Sequence, residues 1–170
     1  IHDSFRLLHN DITPRNIILA QVGPDPYSPK IIDLGHMSRG VGGVPPFPVD
    51  DLTLQYCAPE TFTGCYEKKS DTFSAAAVLY SMLTGKAPWD VEIPAGLKYP
   101  AKKKIVRNAR KQPLEAEGLV AKGLSKRDVD LLSACFERDT DKRLTLNKFY
   151  ELLVGKKSAK EETHEEAVST

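Results

Sequence analysis

A histidine, an aspartate and an asparagine fall within eight residues near the start of the chain: His9, Asp11 and Asn16 of LLHNDITPRNIIL. A carboxylate and a carboxamide on one short loop can set a proton acceptor beside a metal ligand. The same residues also suit a plain polar turn leading into a strand over Asn16-Ile17-Ile18-Leu19. A second acidic position, Asp33 of Asp33-Leu34-Gly35, closes the next β-branched run. If the two runs pair as a hairpin, Asp33 returns beside Asn16 and two oxygen donors converge. Mg²⁺ suits such a pair, because it takes few protein oxygens and completes its shell with phosphate oxygens and water. Asp11 is then placed to orient an incoming hydroxyl and receive its proton. Taken alone, Asp33 is equally a turn residue that ends a strand before Gly35.

These residues need elements to hold them. The runs 16–19 and 30–33 predict an antiparallel hairpin with a long connection through Gly23-Pro24-Asp25-Pro26-Tyr27-Ser28-Pro29. Residues 35–53 carry four Gly and three Pro without periodicity and predict an irregular loop. From Asp71, DTFSAAAVLYSMLT is apolar nearly all round, which predicts a helix buried in a core, ended by Gly85 with Pro88 beyond. A basic helix is predicted between Pro100 and Pro113, and Ser125 with Asp128 forms a capping box opening a helix that runs to Cys135. Thr145–Val154 predicts one more helix, and the Lys- and Glu-rich tail over 155–170 reads as disordered. No internal repeat is visible.

The composition narrows the function classes. A chain of 170 residues, 41% hydrophobic and 28% charged, can bury one sizeable core. A formal net charge of +1 gives no global field toward nucleic acid or anionic lipid. The longest apolar run, Ala75 to Tyr80, is too short to span a bilayer, and no secretory segment opens the chain. Cys57, Cys65 and Cys135 lack metal or disulfide spacing and read as reduced thiols of an intracellular, cytoplasmic protein. The stretch 98–111 has seven Lys and Arg and no acid, which reads as a solvated helix face or a dock for an acidic partner rather than a nucleic-acid surface. Trp89, after Pro88, reads as packing at the end of the central helix.

HNDITPRN followed by IIDLG resembles the catalytic loop and the magnesium-binding motif of protein kinases. Small-molecule kinases share those two motifs, but TLQYCAPE at 53–60 resembles the end of a protein-kinase activation loop. SDTFSAAAVLYSMLTGKAPW at 70–89 resembles the family's central helix, and ERDTDKRLTLNKF at 137–149 its late Arg-bearing segment. The resemblance implies Asp11 as catalytic base, Asn16 and Asp33 as Mg²⁺ ligands, and Ile17 to Leu19, with Ile18 at the centre, as the floor under the adenine of ATP. It implies Thr53 and Arg15 beside the phosphoacceptor and His9 and Leu34 as stacked apolar supports. Asp71 would fix the backbone of the catalytic loop, and Glu60 and Arg143 would form a buried ion pair.

The departures are specific. Thr13 stands where serine/threonine kinases carry a Lys, so one positive charge toward the γ-phosphate is absent. Asn10 replaces an Arg, Leu34 a Phe and Ala76 a Gly. The family's glycine-rich loop, strand lysine and its glutamate partner have no counterpart in these 170 residues. The resemblance therefore implies a mainly α carboxy-terminal lobe with small β-hairpins over residues 1–154, cut from the α+β kinase fold. The implied reaction is transfer of the ATP γ-phosphoryl group to protein Ser or Thr hydroxyls, Thr53 pointing to those acceptors. Its partners would be a protein substrate and the missing amino-terminal lobe, or a protein supplying that lobe; no nucleic acid and no membrane are expected. Alone, such a lobe is expected to be inactive. Two other readings stay open: a pseudokinase or truncated partner-binding module, and a small-molecule phosphotransferase.

Overall fold

The computed structural model describes residues 2, 6–23, 25–39 and 51–153. The proline-rich centre of the 35–53 loop and the charged tail over 155–170 lie outside the described residues. A 3₁₀ turn over Pro14–Asn16 leads into β1 (Ile17–Val22), which pairs antiparallel with β2 (Asp25–Ile31). Helices follow as α1 (Asp51–Tyr56), α2 (Lys68–Thr84), α3 (Tyr99–Ala109), α4 (Glu117–Ala121), α5 (Lys126–Ala134) and α6 (residues 146–153). The described chain is thus helix-rich with one small two-stranded sheet.

Three sequence expectations need correction. The connection of the hairpin is not long: β2 begins at Asp25, so only Gly23 and Pro24 join the strands, with Gly23 at φ +70°. Pro29 lies opposite Leu19 in the ladder. A two-stranded sheet has no interior strand, so a proline's missing N–H can fall on an open edge. Second, the 35–53 segment is not irregular to its end, because α1 begins at Asp51. Leu54 is fully buried there and Tyr56 nearly so, and this burial fixes a helix of six residues that is too short to display a period. Third, α2 starts at Lys68, three residues before Asp71. The Glu67 N–H donates to Ser70 Oγ at 3.2 Å, which satisfies a donor at the helix entrance.

Helix α2 is the axis of the core. Phe73, Ala76, Ala77, Val78 and Tyr80 are buried on it and pack with Leu119 of α4, Val129 and Leu132 of α5, Phe136, and Phe149 of α6. Alanines at 75–77 let neighbouring elements approach closely, and Ala76 is buried there. Gly85, at φ +82°, takes the left-handed cap and its N–H donates to Ser81 O at 2.8 Å. Trp89 stacks on Phe73, meets Phe136 edge-on at 5.3 Å and donates its Nε1–H to Gln112 O at 2.9 Å. A smaller cluster of Leu54, Cys57, Phe62 and Val106 joins α1 to α3. The Ser125–Asp128 capping box opens α5 as its spelling requires.

Burial separates the three thiols. Desolvation raises the Cys57 thiol despite the charge of Arg110 nearby, and desolvation pushes Cys135 up to about 12. Cys65 is exposed. Thiolate supply and access both set reactivity, so a disulfide-exchange reagent at neutral pH is expected to titrate one thiol of the native chain rapidly. The other two should react only after urea unfolding. Rapid reaction of all three in the folded chain would refute this burial pattern.

Candidate active site

The loop carrying His9, Asp11 and Asn16 is held from below by a buried carboxylate. Asp71, in the first turn of α2 and 1% exposed, accepts the backbone N–H of His9 on Oδ2 at 2.7 Å and that of Asn10 on Oδ1 at 2.9 Å. His2 Nε2 lies 2.7 Å from the same Oδ2. A carboxylate at a helix N-terminus is favoured by the peptide dipoles, and here it stitches the loop to the core helix. Asn10 sits at φ +66°, a left-handed conformation that asparagine adopts more readily than most residues. The loop is tied sideways by a bridge between Leu8 and Ser38, with N–H···O distances of 2.7 and 3.1 Å.

The carboxylate of Asp11 is bounded by neutral donors. Asn16 Nδ2 donates to Asp11 O at 2.8 Å and to Oδ2 at 2.9 Å, while Thr53 Oγ1 of α1 donates to Oδ1 at 3.2 Å. His36 Nδ1 stands 3.7 Å from Oδ2. The Asn16 nitrogen is committed to Asp11, so its carbonyl oxygen Oδ1 is the amide atom left for a cation. His9 is buried, accepts the Asp11 N–H on Nδ1 at 3.3 Å and donates Nε2–H to Ile32 O at 3.2 Å. That pattern selects the Nε2–H tautomer and bridges the loop to the end of β2.

Ile32 N–H also donates to Asn16 O at 2.9 Å, which puts the residue before Asp33 directly on Asn16. Asp33 is exposed at φ +61°, and its Oδ1 accepts the Gly35 N–H at 3.2 Å. The turn-residue reading and the oxygen-donor reading thus describe the same side chain. No group of three or more His, Cys, Asp or Glu side chains able to hold a metal occurs among the described residues. A carboxamide and a carboxylate are the short donor set that suits Mg²⁺ carried in with phosphates, and an unsuitable one for a tightly held protein-only metal.

Not every expected residue joins the site. Leu34 is 56% exposed, so it is not the packed apolar support that the resemblance implies. Asp33 in a left-handed conformation turns the chain just before it, and no described residue covers the leucine. Ile18 is also exposed, as are Leu19, Ile31 and Ile32, which are divided between the two faces of the hairpin. Arg15 is exposed on the 3₁₀ turn between Asp11 and Asn16. Thr13 is 2% exposed, and its Oγ1 has no hydrogen-bond partner among the described residues, so the lysine position holds an inward hydroxyl.

Glu60 and Arg143 meet by two bonds, Nη1 to Oε1 at 2.6 Å and Nη2 to Oε2 at 2.9 Å. Ser70 Oγ donates to Glu60 Oε1, and Arg143 spends Nε on Glu137 O and Nη1 also on Lys69 O. Burial pushes the Glu60 carboxyl up, but the Arg143 and Ser70 hydrogen bonds and the Arg143 charge outweigh it and hold the group below its ordinary value.

Two contacts have no clear spelling in the sequence. Asn10 Nδ2 donates to His36 O at 2.7 Å and Ser38 Oγ at 2.9 Å, pinning the segment after Gly35 without any charge. Arg110, spelled as one more cation in a basic run, is buried and donates Nη2 to Leu54 O and Gln55 O, the carbonyls next to Thr53.

The family model described as protein kinase domain matches residues 1–153. Ribosomal protein S6 kinase alpha-4 of Mus musculus is 30% identical over 149 residues, covering 86% of this chain and 19% of that protein. Calcium-dependent protein kinase 24 of Oryza sativa subsp. japonica is 31% identical over 143 residues, covering 84% of this chain and 26% of its own length. The crystal structure of the Rad53 kinase domain and SCD2 in complex with AMPPNP superposes with a TM-score of 0.58 at 23% identity, over 86% of this chain and 49% of that one. The chain therefore spans about a fifth to a quarter of these curated relatives and about half of that solved chain.

Proposed function

Because the chain belongs to the protein kinase domain family, we propose that it forms the carboxy-terminal lobe of a kinase that moves the γ-phosphoryl group of ATP to Ser or Thr hydroxyls of proteins. The observation that carries this reading is the setting of Asp11. Its carboxylate is aimed by Asn16 and Thr53, neutral donors that fix its direction and leave oxygen lone pairs to take a hydroxyl proton. Asn16 Oδ1 and Asp33 would hold Mg²⁺, which when bound neutralises phosphate charge. Ile18 on the exposed hairpin surface would underlie the adenine, and Arg15 and Thr53 would border the acceptor. His9, Asp71, Glu60 and Arg143 keep this frame in register.

These residues supply a base and metal donors, whereas the clamp on the β- and γ-phosphates would come from an amino-terminal lobe in the same protein or a partner. The 170 residues alone are proposed to be inactive. Thr13 favours a second reading, a pseudokinase that binds partners without turnover, since no cation stands at the lysine position.

A chimaera carrying the amino-terminal half of a related kinase domain ahead of Ile1 tests both. The expected result is Mg²⁺-dependent phosphate incorporation on Ser or Thr of a peptide library. Asp33→Ala should remove Mg²⁺-dependent ATP binding by calorimetry. Unchanged Mg·ATP affinity in that variant would take Asp33 out of the site, and ATP binding without transfer in the parent chimaera would favour the pseudokinase.

A further inference from the structure

Away from the Asp11 loop, α3 and the segment after α1 enclose a groove of about 820 Å³. Its apolar side is Pro59, Phe62 and Tyr99, its rim carries Lys104, Arg107 and Lys111, and no acidic residue lines it. The three rim cations fall at i, i+3 and i+7, which places them along one side of α3 and the turn that follows. None makes a side-chain hydrogen bond or ion pair with another described residue. Lys103 is committed differently: its ammonium donates to Phe62 O and lies 5.8 and 5.9 Å from the centres of the Phe62 and Tyr99 rings. Arg138 donates to Arg110 O. Under the groove lies Arg110, 5% exposed, whose Nε and Nη1 have no hydrogen-bond partner among the described residues. The partly buried carboxylate of Glu60 is already claimed by Arg143 and Ser70. The Arg110 guanidinium rests over the Phe62 and Phe73 rings, 5.3 and 5.0 Å from their centres, and with no carboxylate bonded to it adds positive potential beneath a cationic rim.

We infer that this groove docks an acidic segment of a partner protein, its carboxylates on Lys104, Arg107 and Lys111 and an apolar side chain seated against Phe62 and Tyr99. A nucleic-acid strand fits less well, because α3 is only about 16 Å long at 1.5 Å per residue, and the chain as a whole is near neutral. The groove is mechanically joined to the site. Arg110 holds the carbonyls of Leu54 and Gln55, and the residue before them, Thr53, holds Asp11. A partner docked there meets α1 only through Arg110, while its binding needs no phosphoryl transfer and can be tested without it.

The test is fluorescence anisotropy of the full chain with a labelled peptide alternating Glu and Phe. The expected result is saturable, salt-sensitive binding that falls at least about tenfold in Lys104→Glu/Arg107→Glu/Lys111→Glu, since like charges juxtaposed in an interface are strongly unfavourable. It should fall also when Phe in the peptide is replaced by Ser. The charge-matched control Lys122→Glu/Lys126→Glu/Arg127→Glu, all exposed residues, should bind like the parent. Far-UV spectra establish that both variants fold, and a triple-alanine rim variant serves if the reversal does not. Equal loss in the control would overturn the proposal, as would tighter binding of a single-stranded oligonucleotide or of phosphatidylserine vesicles through the same three residues.

Discussion

Arg143→Ala is expected to lower the unfolding free energy by about 3–5 kcal/mol, the usual cost of breaking a buried, hydrogen-bonded ion pair. A domain of this size holds only about 5–15 kcal/mol in all, so the variant should be largely unfolded at urea concentrations the parent tolerates. Arg143 is 2% exposed and serves Glu60, Glu137 O and Lys69 O at once. Its loss strands the Glu60 carboxylate and two carbonyls in the interior. The control is Lys86–Glu115, at 2.7 Å but with side chains 47% and 58% exposed. Lys86→Ala should leave the urea midpoint unchanged, because water and salt screen exposed pairs. A pH series checks the same pair from the other partner. The Glu60 carboxyl titrates lower in the folded chain than its ordinary 4.5. Its contribution is therefore fully present above that value and is lost as pH falls through the folded pKa, where protonation uncouples it from Arg143. The parent should lose stability steeply in acid, and Arg143→Ala should show a shallower slope below pH 4.5. Parallel slopes would mean that other carboxyls govern acid unfolding.

What could be read from the sequence follows from how each element is stabilised. Helix α2 was legible because its apolar letters on every side leave no solvent face, and only a core helix tolerates that. The Asp11 loop was legible as a polar cluster because its residues lie at short spacing, and the structure does bring Asp11, Asn16 and Thr53 into contact. Helices α1 and α4 were missed because six and five residues do not complete a period, and the burial of Leu54 and Leu119 that fixes them comes from distant partners. Strand β2 was hidden by its prolines, which deny a strand only where both edges are paired. Leu34 is 56% exposed, and type alone says that a leucine is apolar, not that something covers it. Arg110 could not be told from its exposed neighbours, since a basic run has the same spelling whether one member turns inward.

Asp11→Asn, made in the chimaera described above, is expected to lower kcat by about 10²–10⁴, the range supplied by a positioned general base. The substitution is chosen because it keeps the shape of the site. In the parent, Asn16 Nδ2 faces one carboxylate oxygen at 2.9 Å and Thr53 Oγ1 faces the other at 3.2 Å. An asparagine keeps its oxygen toward Asn16 and turns its NH₂ toward Thr53, whose hydroxyl can rotate from donor to acceptor. Both contacts survive, Asp71 still holds the backbone of His9 and Asn10, and what disappears is the oxygen able to take a proton. ATP affinity should then stay within about twofold, because binding the nucleotide does not call on the base. Thr53→Val separates aiming from accepting: it leaves the carboxylate and removes one of its guides, so kcat should fall by at least about tenfold, since one hydrogen bond to a charged group contributes about 1.5–3 kcal/mol. The double variant should be no slower than Asp11→Asn alone, since a guide has nothing to aim once the acceptor is gone. Losses that multiply in the double variant would show Thr53 acting apart from Asp11. Transfer by Asp11→Asn at the parent rate would move the base out of this loop altogether.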